Sequence, residues 1–123
     1  MTPNFSDAEL ACKCGCGMLP DKMFMNRVEM LRAHCGFPFK VTSAARCPEH
    51  NARVSKTGRT GPHTTGRAID IAVRGEQALK VIEHALLLRF TGIGVQQKGL
   101  ARFIHVDLLP NGPGCPRPNI WSY

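Results

Sequence analysis

Side chains able to do chemistry concentrate in two short stretches, "HTTGRAIDI" at residues 63–71 and "FIHVDL" at 103–108. Together they offer His63, Asp70, His105 and Asp107. Two histidines and one carboxylate form a ligand set that binds zinc and leaves a fourth coordination position for water. The ion brings the pKa of that water down to about 7, which makes hydroxide available at neutral pH. A further carboxylate is then needed to take the proton and hand it to a leaving amine. A different constellation, "CKCGCG" at 12–17, packs Cys12, Cys14 and Cys16 close together and is the other place where a metal could sit.

Strands must position the first set. In "GRAIDIAV", Ile69, Ile71 and Val73 take one face and leave Asp70 on the other, between two alanines that make room beside it. In "RFIHVDLL", Ile104, Val106 and Leu108 share one face, while His105 and Asp107 share the opposite one. With the β-branched faces in the core, Asp70, His105 and Asp107 turn toward one cleft. His63 stands just ahead of the Asp70 strand, at the end of the glycine-rich loop "KTGRTGP".

The remaining elements follow from periodicity and caps. Ser6 and Glu9 have capping-box spacing, with Phe5 and Leu10 placed for a hydrophobic staple. Phe24, Val28, Leu31 and Cys35 mark one face of a helix that Gly36 ends. "PFKVTSAAR" reads as a strand, Pro48 opens a helix through "PEHNARVS", and "EQALKVIEHALLLRF" predicts another helix. His50 and His84 fall inside these helices, where packing is the expected role. "IGVQQ", a Lys98–Gly99 turn and "LARFIHVDLL" predict a β-hairpin. The tail "PNGPGCPRPNIWSY" is too rich in proline and glycine to predict regular structure. Helices come first and a small, mostly antiparallel sheet later, so the expectation is a single α+β domain over residues 1–123.

Composition narrows the partners. A net charge of +7 favours a polyanion: nucleic acid, anionic lipid or a cell-wall polymer. The basic residues are scattered, and one Trp and one Tyr make a poor stacking platform, so nucleic acid is disfavoured. No segment reaches the roughly 18–20 apolar residues of a membrane span. "MTPNFSDAEL" lacks the charged and apolar regions of a secretory signal, so synthesis in the cytosol is expected. Thiols stay reduced there, which argues against reading the six cysteines as three disulfides.

"VTSAARCPEHNARV", "HTTGRAIDI" and "FIHVDL", in that order, resemble the zinc D-alanyl-D-alanine carboxypeptidases and endopeptidases of bacterial cell wall. That superfamily includes phage endolysins and shares its fold with the hedgehog signalling domain. The signature is S-x-x-R, then H-x(6)-D, then a final histidine on a strand. "FSDAELACKCGCG" is also similar to the opening of its short members, so the resemblance runs from about Phe5 to Trp121. It implies a hedgehog/D,D-peptidase-like fold, with His63, Asp70 and His105 as ligands of Zn2+. Arg46 would grip a peptide carboxylate or the oxyanion of the attacked carbonyl. Ser43 would hydrogen-bond a ligand side chain or substrate, and Trp121 would close over the cleft.

One departure matters. Several family members carry an acid three residues before the last zinc histidine as general base; here that position is Arg102. Asp107 is then the candidate base, and the competing reading makes it an acid that orients an imidazole. The implied activity is hydrolysis of peptidoglycan stem peptides by a metal-activated water, as an endopeptidase or a D,D-carboxypeptidase. The alternative is a zinc-stabilised cell-wall-binding or structural domain of the same fold that has lost turnover. A monomer is expected, made in the cytoplasm and reaching the wall after release. Two readings of the N-terminal cysteines stay open. Their thiols pack inward or pair with Cys47 or Cys35, or they bind a second zinc with Cys47 as fourth ligand.

Overall fold

The computed structural model describes residues 1–123. The elements in order are α1 (Asp7–Leu10), α2 (Lys22–Cys35), β1 (Val41–Ser43), α3 (Pro48–Val54), a 3-10 turn (Pro62–Thr65), β2 (Ala68–Ile71), α4 (Gly75–Leu87), β3 (Gly92–Gln96), β4 (Phe103–Asp107) and β5 (Asn119–Ser122). Four helices and one five-stranded sheet make an α+β fold, as the patterning predicts. The sheet order is β1-β2-β4-β3-β5, and every neighbouring pair is antiparallel except β3 with β5.

Local chemistry explains the helix ends. Ser6 and Glu9 form the full capping box of α1. Asp21 accepts from the Phe24 N–H at the start of α2, and Gly36 ends that helix in the left-handed conformation. Pro48 sits in the first turn of α3, where its missing N–H costs nothing. The helix α4 stops at Leu87, short of the predicted "LRF" at 88–90, because Arg89 takes a φ of 62° and turns the chain. Phe90 thereby returns to the core.

One face of the sheet is dry. Ile69 and Ile71 of β2, Ile93 of β3, and Ile104 and Val106 of β4 are buried. They join Phe24, Met25, Val28 and Leu31 of α2 and Ala78, Val81 and Ala85 of α4 in one cluster. Burial of each large side chain contributes about 1.5–3 kcal/mol. The helices thus hold the sheet from one side and leave its other face to polar residues.

The tail corrects the expectation of irregular structure. Residues Asn119–Ser122 form β5, which runs parallel to β3 with Ile93 paired to Ile120 and Gly94 to Trp121. Only four residues are needed, because β3 already offers an unpaired edge of N–H and C=O groups. Pro118 lies just before the strand and removes no ladder hydrogen bond.

Ile104 lies at the centre of this core with no exposed surface. Ile104→Ala is expected to cost about 2–5 kcal/mol. Urea denaturation of both proteins followed by circular dichroism checks this.

Candidate metal centre

Strand register builds the site. In the β2–β4 pairing Asp70 stands directly opposite His105, and in the β4–β3 pairing His105 stands opposite Gly94. Ser43 of β1 pairs with Asp70, and Trp121 of β5 pairs with Gly94. One transverse row therefore crosses all five strands on the polar face: Ser43, Asp70, His105, Gly94, Trp121. His63 enters from the 3-10 turn, whose short path into β2 brings its ring edge-on to His105 at 5.2 Å between centroids.

The three candidate ligand atoms lie within 4.8 Å of one another. His63 Nε2 is 3.3 Å, and His105 Nδ1 3.0 Å, from Asp70 Oδ1. Donors bound at about 2.0–2.1 Å to a tetrahedral metal stand about 3.3 Å apart, so the spacing fits one ion. The far nitrogens are already committed. His63 Nδ1 donates to the Ala44 carbonyl at 2.7 Å, and His105 Nε2 donates to Asp107 Oδ2 at 2.7 Å. In a neutral imidazole these bonds place the proton on the far nitrogen, so the nitrogen that faces Asp70 can offer its lone pair to an ion. All three side chains are buried; Asp70, the most open, is 7% exposed.

Asp107 occupies a different environment from the other acid. It is wholly buried, and both its oxygens are held. Arg117 donates Nε to Oδ1 at 3.0 Å and Nη2 to Oδ2 at 2.8 Å, while His105 bonds Oδ2 and the Leu109 N–H reaches Oδ1. Both oxygens are thus engaged, one of them with the imidazole of His105. Gly92 makes the arrangement possible. It pairs with Asp107, and any Cβ there would overlap the carboxylate. A Cβ at Gly94 would likewise press on Trp121 Nε1.

The titrating groups respond to this wiring. Burial works against ionised Asp70, but hydrogen bonds with His105 and His63 outweigh it and hold the carboxyl below its ordinary value. Asp107 is also lowered: burial is overcome by hydrogen bonds from His105 and Arg117. His105 goes the other way. Burial would neutralise it, yet contacts with Asp107 and Asp70 raise it. A histidine with a carboxylate at each nitrogen carries excess negative surroundings, and a cation between His105 and Asp70 would relieve them.

Arg46 and Ser43 come together beside the ligands. Arg46 Nε donates to Ser43 Oγ at 3.0 Å and Nη1 to Asn51 Oδ1 at 3.0 Å, leaving Nη2 3.8 Å from Asp70 Oδ2. Asn51 is buried and donates its own amide to Thr57 Oγ1 and the Gly58 carbonyl. Sequence reasoning missed Asn51, Arg117 and the two glycines. Nothing in "PEHN" or "CPRPN" separates Asn51 or Arg117 from surface residues. Alternate glycines inside the strand "GIGV" were the available signal, since they mark close approach of another group. Trp121 does lie over the site, its ring 5.2 Å from that of His105. His50 and His84 stay outside it; His84 packs against His34. A cleft of about 430 Å³ opens beside Asp70 and Ser43, with Lys40 and Arg102 on its walls.

The sequence model of the family described as peptidase M15 matches residues 3–107, a span that includes His63, Asp70 and His105. The chain belongs to the M15 peptidase family. No curated protein matches it. The M15 assignment places it in the zinc D-Ala-D-Ala carboxypeptidase superfamily that the three sequence blocks resemble. The M15 match ends at Asp107, so Arg117 and the strand that carries Trp121 lie beyond it.

Replacing Asp107 by Asn removes the charge that holds the His105 tautomer, and affinity for added zinc should fall about 10–100-fold. Competition with a chromophoric chelator measures it. Gly92→Ala forces Asp107 aside and should destabilise the fold by about 1–3 kcal/mol while weakening zinc in the same assay.

Proposed function

We propose that this M15 chain is a zinc peptidase that hydrolyses peptide bonds in peptidoglycan stem peptides. The observation that carries the reading is the register placing Asp70 opposite His105, with His63 Nε2 converging on the same oxygen. His63 through Nε2, Asp70 through Oδ1 and His105 through Nδ1 would hold the ion. Bound there, zinc would polarise the scissile carbonyl and lower the pKa of a water to about 7.

The chain's own groups do the rest. Arg46, fixed by Ser43 and Asn51, holds its Nη2 3.8 Å from Asp70 Oδ2, and from there the guanidinium would bind a peptide carboxylate or a developing oxyanion. Asp107 acts through His105 as a positioning residue. Trp121 covers His105 and limits water on that side. Lys40 and Arg102 give the cleft a positive wall, which suits stem peptides with their free carboxylates. Charge of +7 favours adherence to the anionic wall.

A second reading has its own support. Both oxygens of Asp107 are occupied, and Arg102 stands where relatives place a base. On that reading the domain binds zinc and cell wall without turnover.

Incubation of the zinc-loaded protein with purified peptidoglycan, followed by mass spectrometry of the products, separates the two. The peptidase releases new muropeptides that vanish with chelator or in His63→Ala, and their masses name the bond. Absence of products at every pH with zinc bound overturns turnover and leaves the binding reading. Arg46→Ala should lower kcat/KM about 10²–10³-fold with zinc content unchanged. Arg46→Lys should recover little, because an ammonium cannot reproduce the planar two-point grip.

A further inference from the structure

The cysteines that the catalytic reading leaves unused converge. Sγ atoms of Cys12, Cys14, Cys16 and Cys47 all lie within 4.8 Å of one another, and none is in a disulfide. Cys14 Sγ is 3.4 Å from Cys12 Sγ and 3.5 Å from Cys47 Sγ. Cys35 stays apart, its thiol bonded to the Lys80 carbonyl, and Cys115 sits in the tail.

We propose that these four cysteines form a second, structural metal centre that takes one zinc ion as a tetrathiolate. Sulfurs bound at about 2.3 Å around a tetrahedral zinc stand about 3.8 Å apart, close to the spacing seen. Disulfide bonding would instead draw them into pairs at about 2.05 Å and separate the pairs. Here Cys14 is equally close to two partners, which is the pattern of a common ligand.

The backbone is shaped for the convergence. In an extended chain Cys12 and Cys16 would be about 13 Å apart, at roughly 3.3 Å per residue. Gly15 and Gly17, with φ of 87° and 88°, fold the loop back so that three alternating thiols meet. Cys47 arrives from the junction of β1 and α3, where it caps the helix. Amide donors face the sulfurs: the Cys47 N–H donates to Cys12 Sγ at 3.3 Å and the His50 N–H to Cys47 Sγ at 3.4 Å. Such bonds stabilise thiolates and orient them toward a metal. Cys14 and Cys16 are exposed, so an ion can reach the cluster from solvent.

The clip has a structural consequence. It ties the N-terminal loop to the residue next to Arg46, whose backbone N–H in turn donates to the His63 carbonyl at 3.2 Å. The second ion thus anchors the segment that presents the arginine, without touching substrate. This centre does not depend on the peptidase reading.

The test uses the full chain purified under reducing conditions with zinc supplied. Elemental analysis should give one zinc fewer per chain in Cys14→Ser/Cys16→Ser, whose substitutions lie at exposed positions, than in the wild type. Replacing zinc by cobalt(II) should produce an intense thiolate-to-cobalt charge-transfer band. That band should persist in His63→Ala, which separates this centre from the histidine site even if the double variant fails to fold. Cobalt-loaded wild type without the band, iron in place of zinc, or a mass showing disulfides among the four cysteines would overturn the proposal.

Discussion

The antiparallel pairing of β2 with β4 is the constraint on which the rest of the molecule depends. It sets Asp70 against His105 on the polar face while Ile69, Ile71, Ile104 and Val106 turn into the core. A slip of one residue would exchange the two faces, placing carboxylates and an imidazole among isoleucines. The hydrophobic core therefore enforces the geometry of the polar row: burial on one face selects the only register in which Asp70 and His105 meet on the other. Helices α2 and α4 act on this row through the register, although neither contributes a residue to it.

A second layer of order comes from charges that are buried in pairs. Asp107 has no exposure, and an isolated carboxylate there would be expensive. Arg117 and His105 supply the compensation, and the pair works only because Gly92 vacates the space its own side chain would fill. Loss of one partner of such a pair typically costs about 3–5 kcal/mol, since the other is left buried and uncompensated. The tail is consequently tied to the site twice, by Arg117 on Asp107 just before β5 and by Trp121 of β5 over His105. Arg117 also stacks on Trp121, with its guanidinium carbon 4.9 Å from the ring.

Arg46 shows the same principle on the opposite flank. Its direction is set by Ser43 within β1 and by Asn51 one turn into α3, so strand, junction and helix all converge on a single guanidinium. Cys47 of the cysteine cluster is the next residue in the chain, and Asp70 lies 3.8 Å from the guanidinium. Flexible elements are thus held at both ends, and the long side chain loses its conformational freedom in folding instead of on binding.

The sequence by itself determined the face assignments. Alternation in "GRAIDIAV" and "FIHVDL" places Asp70, His105 and Asp107 opposite the aliphatic residues, because side chains on a strand alternate with a period of two. Helix ends were equally legible, since Ser6, Pro48 and Gly36 act on their own neighbours. Only the tertiary structure decided what those faces meet. The role of Asp107 rests on Arg117, ten residues further along in a stretch that reads as loop. The strand at Asn119–Ser122 exists because β3 offers it an edge, and the cluster at "CKCGCG" closes because Cys47 arrives from another element. Local pattern reports which way a side chain points; contacts between residues distant in the chain belong to the packed fold.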